Sequence, residues 1–537
     1  MAQTIRTQTF KFIGEDDASV DTPRFLDLIS KLPSTPSTIK LGGNVRLSTT
    51  YGDNFFGNIV ITKPASLDGN GYTITYTDST TNLRWCNDVN YLSYQFGTGG
   101  GTGLGTALAG GMTAFQDSFT IPGGVSLAYR DIFLLYGENS ISTGVTPHSG
   151  YVYYPGELHR ACEIVGSTCY FTDFVVDTMT TNPKIYKMTM INNIFIKDVT
   201  FARTVAPSAL ERAGLELRHV SDFKIENVKM IDAGLLNILQ CVNGQIIDCK
   251  IYNNMVTRIT YGMEISCSNG ISFHNNESFG FRHAFDSSAI SISSPAIRWG
   301  TNRNIKWTGN RAHTNAGDAT SGTSAGPFTM HPESWGCEWD NNTVICGSVT
   351  GGGAQMFDNR ARRSIIQNNK VQMNRYDSGA LVSPSNGLCV GILNRAHKCV
   401  IKNNTIQGGW IGIQVRDFDD CEVTGNTIKD CQSTGLVLRS SNHIVTNNNM
   451  IRVGATDQHT SYPAAYNCCI GIQSGSTGNR ILRNDMPKGS NTYSVYDENT
   501  PTGSVIVDNT LDGYTASGFG GPDSSGTESS YGASNWT

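Results

Sequence analysis

Three short stretches decide the fold: IIQNNKVQM at residues 365–373, VIKNNTIQG at residues 400–408 and EVTGNTIKD at residues 422–430. Each has a branched apolar residue, a polar gap, an asparagine, and another apolar residue two places further on. This asparagine position recurs at Asn276, Asn310, Asn342, Asn369, Asn404, Asn426, Asn448, Asn484 and Asn509. The shortest steps are 22 residues, from Asn404 to Asn426 and from there to Asn448. A minimal period with longer steps in between indicates a solenoid with inserted loops.

Each repeat also carries an alternating strand, such as YGMEIS at 261–266, WIGIQVRD at 410–417 and TGLVLRS at 434–440. Alternation sends one set of side chains to a core and the other set outward. Units this short, with two or three strands and no helix, stack as coils of a parallel β-helix, about 4.8 Å apart. The asparagine is predicted to form a ladder along the turns. Asn tolerates left-handed backbone, and its amide can bond an identical amide above and below.

The two ends of the chain differ from the repeats. Asp21-Thr22-Pro23 predicts a helix start, and Phe25, Leu28, Ile29 and Leu32 form one apolar stripe after it, so this helix is expected to cap the open core. The predicted division is an N-terminal arm and capping helix at 1–36, first coils with a Gly-rich insertion at 37–150, the main β-helix at 151–512, and a Gly/Ser-rich tail at 513–537.

Composition narrows the possible partners. The net charge is −5, only 16% of residues are charged, and no basic cluster stands out, so no nucleic-acid partner is expected. The N-terminus has no apolar segment of signal-peptide type, and there are no 18 continuous apolar residues, so neither a signal peptide nor membrane insertion is expected. The 14 cysteines include no CxxC pair. Cys337, Cys399 and Cys421 each precede a ladder asparagine by five residues, which favours a column of stacked, buried thiols.

Several segments resemble a known superfamily. TIKLGGNVRLS at 38–48, ITKPASLDGNGYTI at 61–74, AYRDIFLLYG at 128–137 and PGELHRACEIVGSTCYF at 155–171 resemble the opening of the pectate-lyase-like right-handed β-helix proteins. Within that superfamily the chain is most similar to bacteriophage tailspikes and capsular-polysaccharide depolymerases, although it has Arg130-Asp131 where those proteins often have a Gly-Asp turn. GFRHAFDSS at 280–288 and FTMHPESWGCEWDNN at 328–342 are similar to the Arg-His and His-bearing coils of such spikes and of related lyases and epimerases.

The resemblance implies an all-β fold, a right-handed single-stranded parallel β-helix with a short N-terminal capping helix. It also implies a tailspike-like protein that binds and depolymerises a bacterial surface polysaccharide (capsule, exopolysaccharide or O-antigen) without a cofactor. The implied partners are that polysaccharide, phage tail or baseplate proteins, and further copies of the chain in a homotrimer. The implied location is the virion tail at the bacterial surface, after assembly in the host cytoplasm.

One group of candidate site residues follows from the alternation. Glu264, Arg298 and His331 are predicted to face outward on neighbouring coils of one face, with Glu216 and Arg218 one coil back. Gln414 occupies a comparable outward position. Trp335 and Tyr261 are candidates to stack against sugar rings.

A second group lies in FGFRHAFDSS, which supplies Arg282, His283 and Asp286. Arg can hold a carboxylate and His can exchange a proton near neutral pH, which suits proton abstraction beside a uronate carboxyl. Paired carboxylates suit hydrolysis instead, and Glu264, Glu333, Asp286 and Glu216 are available for it. No metal is expected, because HPE at 331–333 lacks the HExxH spacing of metal motifs.

Three functions stay open from the sequence. The first is a depolymerase acting by hydrolysis or β-elimination, with His331, Glu264, Arg298, His283, Asp286 and Glu333 as catalytic candidates. The second is a non-catalytic receptor-binding or structural spike, since a fold does not dictate activity. The third is a C5-epimerase-like enzyme.

Overall fold

The computed structural model describes residues 8–51, 58–87, 105–141, 151–206, 213–253, 261–291, 297–314, 326–346, 355–373, 389–454, 468–487, 489, 491, 493–499, 503–507, 509–510 and 519–520. Within these residues the chain is almost entirely β, with one α-helix at Ala18–Ser30 and one 3-10 turn at Thr49–Tyr51. The fold is the right-handed parallel β-helix that was predicted.

Three long parallel sheets form the sides of the β-helix. The first sheet contains Gln8–Phe12, Ser37–Leu41, Ala65–Asp68, Ile191–Asn192, Phe195–Lys197, Val220–Glu226, Val242–Ile247, Asn269–His274, Lys306–Thr308, Glu338–Asp340, Ile365–Gln367, Val400–Lys402, Glu422–Thr424, Ile444–Thr446, Arg480–Leu482 and Val505–Val507. The second sheet contains Val45–Leu47, Thr73–Tyr76, Thr200–Arg203, Lys229–Ile231, Lys250–Tyr252, Glu277–Phe279, Arg311–Thr314, Thr343–Cys346, Lys370–Met373, Thr405–Gln407, Thr427–Lys429 and Asn449–Ile451.

The third sheet carries most of the candidate site residues. It contains Asn58–Ile61, Asn82–Cys86, Ala213–Arg218, Leu235–Leu239, Tyr261–Ser266, His283–Ser288, Phe328–Met330, Gln355–Asn359, Val390–Asn394, Ile411–Arg416, Thr434–Arg439, Cys468–Ile472, Tyr493–Asp497 and Phe519–Gly520. Inward side chains stack between coils, as the rings of Phe285, Phe328 and Phe357 do at centroid distances of 4.8 and 4.7 Å. One continuous apolar core therefore runs along the axis.

The asparagine ladder is present between the first and second sheets. From Asn276 onward, each side-chain N–H donates to the next asparagine's Oδ1; the Asn404–Asn426 distance is 2.9 Å. That same Oδ1 also accepts the preceding coil's backbone N–H, as from Asn404 N, again at 2.9 Å. One detail of the prediction was wrong. The left-handed residue is the one before the ladder position, for example Asn403 with φ of 56°, because the ladder side chain itself must point inward.

The cysteines are thiols in a packed interior. All 14 are free, and all except Cys162 are buried. Cys399 and Cys421 lie on adjacent coils of the predicted column, but Ser364 lies between Cys337 and Cys399, as the backbone bonds from Ile365 to Cys337 and from Val400 to Ser364 show. The Ser364 hydroxyl is 3.3 Å from the Cys399 sulfur.

The capping helix starts earlier than the sequence pattern predicted. Asp17 is its N-cap and accepts the Ser19 N–H at 2.8 Å, so Pro23 lies inside the helix rather than at its first position. Asp21 and Thr22 look like capping residues but are buried against the first coils. Asp21 accepts the Arg46 N–H at 2.9 Å, and Thr22 accepts the Ser48 N–H at 3.0 Å. These bonds, with Phe25 and Ile29 in the core, attach the helix to the end of the solenoid.

A side subdomain interrupts the coils between Cys86 and Ile191. Its six-stranded antiparallel sheet contains Thr106–Ala107, Lys184–Lys187, Ile132–Tyr136, Gly156–Val165, Thr168–Phe171 and Ser118–Thr120. The predicted boundary at residue 150 falls inside this sheet, because Ile132–Tyr136 pairs with Gly156–Arg160 across it. A small three-stranded sheet contains Val152–Tyr154, Ile297–Trp299 and Ile290–Ser291. It joins the subdomain to the β-helix.

Buried ion pairs fix the side subdomain against the coils. Arg303 of the β-helix lies 3.1 Å from Glu157 and 3.3 Å from Asp173. Arg362 binds Asp177 through both of its terminal nitrogens, at 2.7 and 2.8 Å. The subdomain is therefore held in one position beside the third sheet.

Candidate functional site

A column of polar residues runs along the outer face of the third sheet. Successive strands align Glu216, Asn237, Glu264, Asp286, Thr329 and Asp358. The order corrects the prediction that Glu216 and Arg218 lie one coil from Glu264. The coil with Leu235–Leu239 lies between them, and its outward residue, Asn237, carries no charge that would mark it in the sequence.

A cavity of about 190 Å³ opens at this column, where the side subdomain meets the third sheet. It is lined by Tyr151, Tyr153, Tyr261, Arg282, His283, Ser288, Ala289, Arg298, Thr329, His331, Asp358 and Arg360. Three guanidinium groups, two imidazoles and three phenols line it beside a single carboxylate. Its lining therefore favours an anionic, hydroxylated ligand.

His331 is the group best placed for proton transfer. Its side chain is 16% exposed and lines the cavity, and its Nε2 lies 3.4 Å from Oδ1 of the fully buried Asp286. Burial by itself would lower the pKa of His331. The charge of Asp286, with a smaller contribution from Glu333, outweighs burial and raises that pKa above its ordinary value. His331 is therefore a stronger base than an ordinary histidine, oriented from behind by a carboxylate.

The HPE sequence at 331–333 forms part of a tight turn. The Ser334 N–H donates to the His331 carbonyl at 3.1 Å, which closes a turn with Pro332 in its second position, where Pro is favoured. The turn places Glu333 in the interior with an exposed fraction of 0%. Neither oxygen of Glu333 has a hydrogen-bond partner among the described residues. Burial raises the pKa of Glu333 to about 7, against the opposing charge of His331.

His283 has a different environment from His331. Its Nδ1 lies 2.9 Å from the Gly326 carbonyl and 2.9 Å from the Thr329 hydroxyl, and Tyr261 stacks on its ring at 5.2 Å. Burial lowers its pKa to about 4. His283 is therefore neutral at physiological pH and donates Nδ1–H to the carbonyl.

Arg298 reaches the cavity by another route than the one predicted. Its strand, Ile297–Trp299, belongs to the small three-stranded sheet and not to a coil between Glu264 and His331. The Arg298 guanidinium lies 4.7 Å from the centre of the Tyr151 ring. Parallel pairing with Val152–Tyr154 brings Arg298 and the two tyrosines to one wall of the cavity.

Seven predicted residues do not line this cavity, and four of these lie apart from it, namely Glu216, Arg218, Gln414 and Trp335. Glu216 is buried between Arg84 and Arg218 at 2.9 and 3.0 Å. Burial opposes its ionisation, but these two arginines hold its pKa below the ordinary value, so the group is an ion-paired part of the sheet. Gln414 is three strands beyond Thr329, about 14 Å along the axis. Trp335 lines a different cavity.

The structure brings Arg282, His283, Arg298, His331 and Tyr261 to one cavity, with Asp286 and Glu333 behind it and Glu264 beside Asp286 on the neighbouring strand. Sequence reasoning missed Tyr151, Tyr153, Asp358 and Arg360. Asp358 follows Thr329 in the outward column. QMFDN at 355–359 does not alternate strictly, but its Phe-Asp pair matches the Phe328-Thr329 pair of the preceding coil and would have revealed Asp358. The tyrosines carry no such signal, because they come from outside the repeats.

Among the described residues no group of three or more His, Cys, Asp or Glu side chains is arranged to hold a metal ion. In that same part of the chain no helix has the length and apolarity to cross a membrane.

Comparisons with known proteins agree with this fold. Residues 388–531 match the family model described as a right handed beta helix region. A search of curated proteins by sequence found no match. Among solved structures, the chain is similar to the tailspike gp61 of Pseudomonas phage phi297, with 14% identity and a TM-score of 0.53 over 88% of this chain and 73% of that one.

Two further similar structures have lower TM-scores. The gp54 tailspike of Acinetobacter baumannii phage AP22, solved with a capsular saccharide of that bacterium, shows 13% identity and a TM-score of 0.45, over 93% of this chain and 78% of that one. A mannuronic-acid-specific polysaccharide family 6 lyase from human gut microbiota shows 9% identity and a TM-score of 0.41, over 96% and 91%. At these identities the likeness concerns the fold. Fold and cavity together define a β-helix protein with a cationic site on its third sheet.

Proposed function

We propose that the protein is a tailspike-like polysaccharide lyase that binds an acidic bacterial surface polysaccharide and cleaves it by β-elimination. One observation favours β-elimination over hydrolysis. His331, with Asp286 behind it, faces a cavity lined by Arg282, Arg298 and Arg360, whereas Asp286 and Glu333 are themselves 0% exposed.

β-Elimination needs three groups, and the cavity contains them. Guanidinium groups neutralise the uronate carboxylate and so acidify the adjacent C5–H bond. Neutral His331 takes the C5 proton, the electron pair forms the C4=C5 double bond, and the C4–O glycosidic bond breaks. Tyr153 is our candidate donor to the leaving oxygen. Burial and, next, the charge of Glu333 raise its pKa, so the phenol keeps its proton until that step.

Hydrolysis by a carboxylate pair has less support. It requires two carboxyl groups that flank the scissile bond, one to protonate the leaving oxygen and one to activate water or attack the sugar. Asp286 and Glu333 lie behind His331 with no exposed surface, so a sugar ring in the cavity contacts the imidazole and not these carboxylates. Their position suits them to tuning the pKa of His331.

The assembly and location are part of the same proposal. The β-helix fold shared with the phage phi297 tailspike supports a phage tail protein that acts at the bacterial surface, assembled in the host cytoplasm as a homotrimer and attached to tail or baseplate proteins. The cavity lies on an outer face, where an extended polysaccharide can reach it.

The test is cleavage of a panel of purified acidic capsules, exopolysaccharides and O-antigens, followed by gel filtration. We expect wild type to shorten at least one of them and His331→Ala to lower turnover by about 10²–10⁴-fold. The matched control is His313→Ala, because His313 is also partly buried and carboxylate-paired, 3.2 Å from Glu277, but lies on the second sheet. Wild-type turnover in His331→Ala, or an equal loss in both variants, would contradict the assignment.

A further inference from the structure

A second cavity, of about 390 Å³, lies beside the first and has no role in the chemistry above. It is lined by Ala114, Phe115, Asn139, Ser140, Ile141, Val176, Asp177, Thr178, Trp335, Arg362, Arg363 and His397. Side subdomain and β-helix each contribute one wall. Trp335, which was predicted to lie with His331, therefore belongs to the second cavity.

Phe115 is the most unusual residue of this cavity. Its ring is 58% exposed, and its backbone is left-handed, with φ of 71°, a conformation that is unfavourable for a bulky side chain. The Phe115 N–H donates to the Val175 carbonyl at 2.7 Å, which holds the turn in this conformation. Glycine would suit this position at no steric cost. The ring contacts Phe174 at a centroid distance of 5.4 Å but stays mostly exposed, so core packing does not account for the strained backbone, which points to a role in binding.

Arg363 supplies the charge of the second cavity. Its guanidinium lies 5.4 Å from the centre of the Phe115 ring, and it has no ion-pair partner among the described residues. Arg362 is neutralised by both oxygens of Asp177, and His397 lies 3.9 Å from Asp420. Arg363 is therefore the uncompensated cation, placed beside an aromatic ring and several polar side chains.

We infer that the second cavity is a non-catalytic subsite for an acidic sugar ring, with Phe115 and Trp335 as ring contacts and Arg363 as the carboxylate contact. The inference rests on the proposed function, because it places two parts of one acidic polysaccharide in neighbouring cavities. His331 and Trp335 are four residues apart, so their Cα atoms are at most about 14 Å apart.

The two cavities share a wall. Ile141 of the second cavity packs with Tyr153 and Ala289 of the first, and its N–H donates to the Tyr153 carbonyl at 2.7 Å. A short run of sugar rings can cross this wall and contact both sites. Binding in the second cavity then holds the polysaccharide while His331 acts on another ring.

The test uses the full chain with His331→Ala as background, which prevents turnover. The probes are oligomannuronate, oligogalacturonate and oligoglucuronate of defined length, with neutral cello-oligosaccharides for comparison, and the measurement is calorimetric affinity. Phe115→Gly removes the ring and relieves the left-handed strain, so we expect affinity for the acidic probe that binds to fall about tenfold with the melting temperature maintained. Arg363→Ala should weaken the binding of acidic probes and leave the binding of neutral probes unchanged.

The matched control is Tyr129→Ala. Tyr129 is 64% exposed on the same subdomain and also has an arginine, Arg130, 5.2 Å from its ring centre, but it lines neither cavity. The affinity of the Tyr129→Ala variant for the acidic probe should equal that of its parent. An affinity of Phe115→Gly within twofold of its parent, or no binding of any acidic probe, would overturn the subsite.

A kinetic measurement separates this inference from the proposed function. In an otherwise wild-type chain, Phe115→Gly should raise KM for the cleaved polysaccharide and leave kcat unchanged, since the contact is made equally in ground and transition states. Cleavage with an unchanged KM would refute the subsite and keep the lyase. Binding that depends on Phe115 without any cleavage would refute the lyase and keep the subsite.

Discussion

At the scale of single residues, His331 and the two carboxylates behind it have separate tasks. His331 presents its ring to the cavity. Asp286, buried in the outward column of the third sheet, and Glu333, in the interior, both act on its charge. The alternation of FTMHPE correctly predicted that His331 faces outward on the coil with Phe328 and Met330 inside. It could not predict that Glu333 turns inward, because this depends on a turn closed by a backbone hydrogen bond after Pro332.

Replacing Asp286 should change the pH dependence of turnover. Because Asp286 raises the pKa of His331 above its ordinary value of 6.5, the rising limb of the pH–rate profile should lie above that pH. Asp286→Asn removes the charge, so the limb should move to lower pH while kcat falls. Initial rates measured at a series of pH values check this. A limb that does not move would mean that Asp286 does not set the pKa of His331.

Glu333 should make stability fall as the pH rises. Its folded-state pKa of about 7 lies above the ordinary value of 4.5, so the unfolded chain releases this proton first, and the unfolding free energy decreases between those two pH values. The change is on the order of 3 kcal/mol. His331 has a raised pKa as well and acts in the same direction at higher pH.

Glu333→Gln isolates this contribution. Denaturant unfolding at about pH 5 and about pH 7 should show a smaller loss of stability in the variant than in wild type. Equal losses in the two proteins would mean that Glu333 ionises normally in the folded state.

At the scale of elements, the repeats were predictable and the insertions were not. The asparagine spacing correctly predicted the coils and the ladder, because both depend on contacts between equivalent positions of one pattern. The antiparallel sheet of the side subdomain has no repeat, and its strands pair across gaps such as that between Tyr136 and Gly156. Arg298, Tyr151 and Tyr153 were misplaced or missed for the same reason, because the small three-stranded sheet that brings them to the cavity also lies outside the repeats.

Asn404→Ala should cost stability and leave turnover unchanged. Its Oδ1 accepts two N–H groups of Asn369 at 2.9 and 3.0 Å, and its Nδ2 donates to the Ile366 carbonyl and to Asn426 at 2.9 Å each. Removing the amide leaves several buried groups without partners, at roughly 1–3 kcal/mol each. We expect a loss of about 2–4 kcal/mol in denaturant unfolding.

The matched control for the ladder is Asn403→Gly at the preceding residue. Asn403 is exposed and left-handed, a conformation that glycine adopts freely, so stability should change by less than about 0.5 kcal/mol. Equal losses of stability in the two variants would mean that the ladder is assigned to the wrong residues.

At the scale of the whole molecule, the site depends on two units held together. Arg303 and Arg362 bind carboxylates of the side subdomain, and that contact sets the positions of Tyr151 and Tyr153 relative to His331. The sequence pattern indicated the third sheet as the functional face. It could not supply the opposite wall, because the buried ion pairs join residues far apart in the chain.

The homotrimer remains a prediction at this scale. Light scattering at micromolar concentration should give three times the chain mass of 58.2 kDa. A monomer mass would refute the trimer and leave the cavity chemistry intact, since every residue assigned to it belongs to one chain.

The central claim, β-elimination at an acidic sugar, is tested most directly by mass spectrometry of products formed in oxygen-18-labelled water. Elimination breaks the C4–O bond without consuming water. We therefore predict products that carry no label and one unsaturated uronate at each new non-reducing end, one water lighter than a hydrolysis product. Labelled, saturated products would contradict the account, because each cut would then have consumed a water molecule, as a carboxylate-pair hydrolase does.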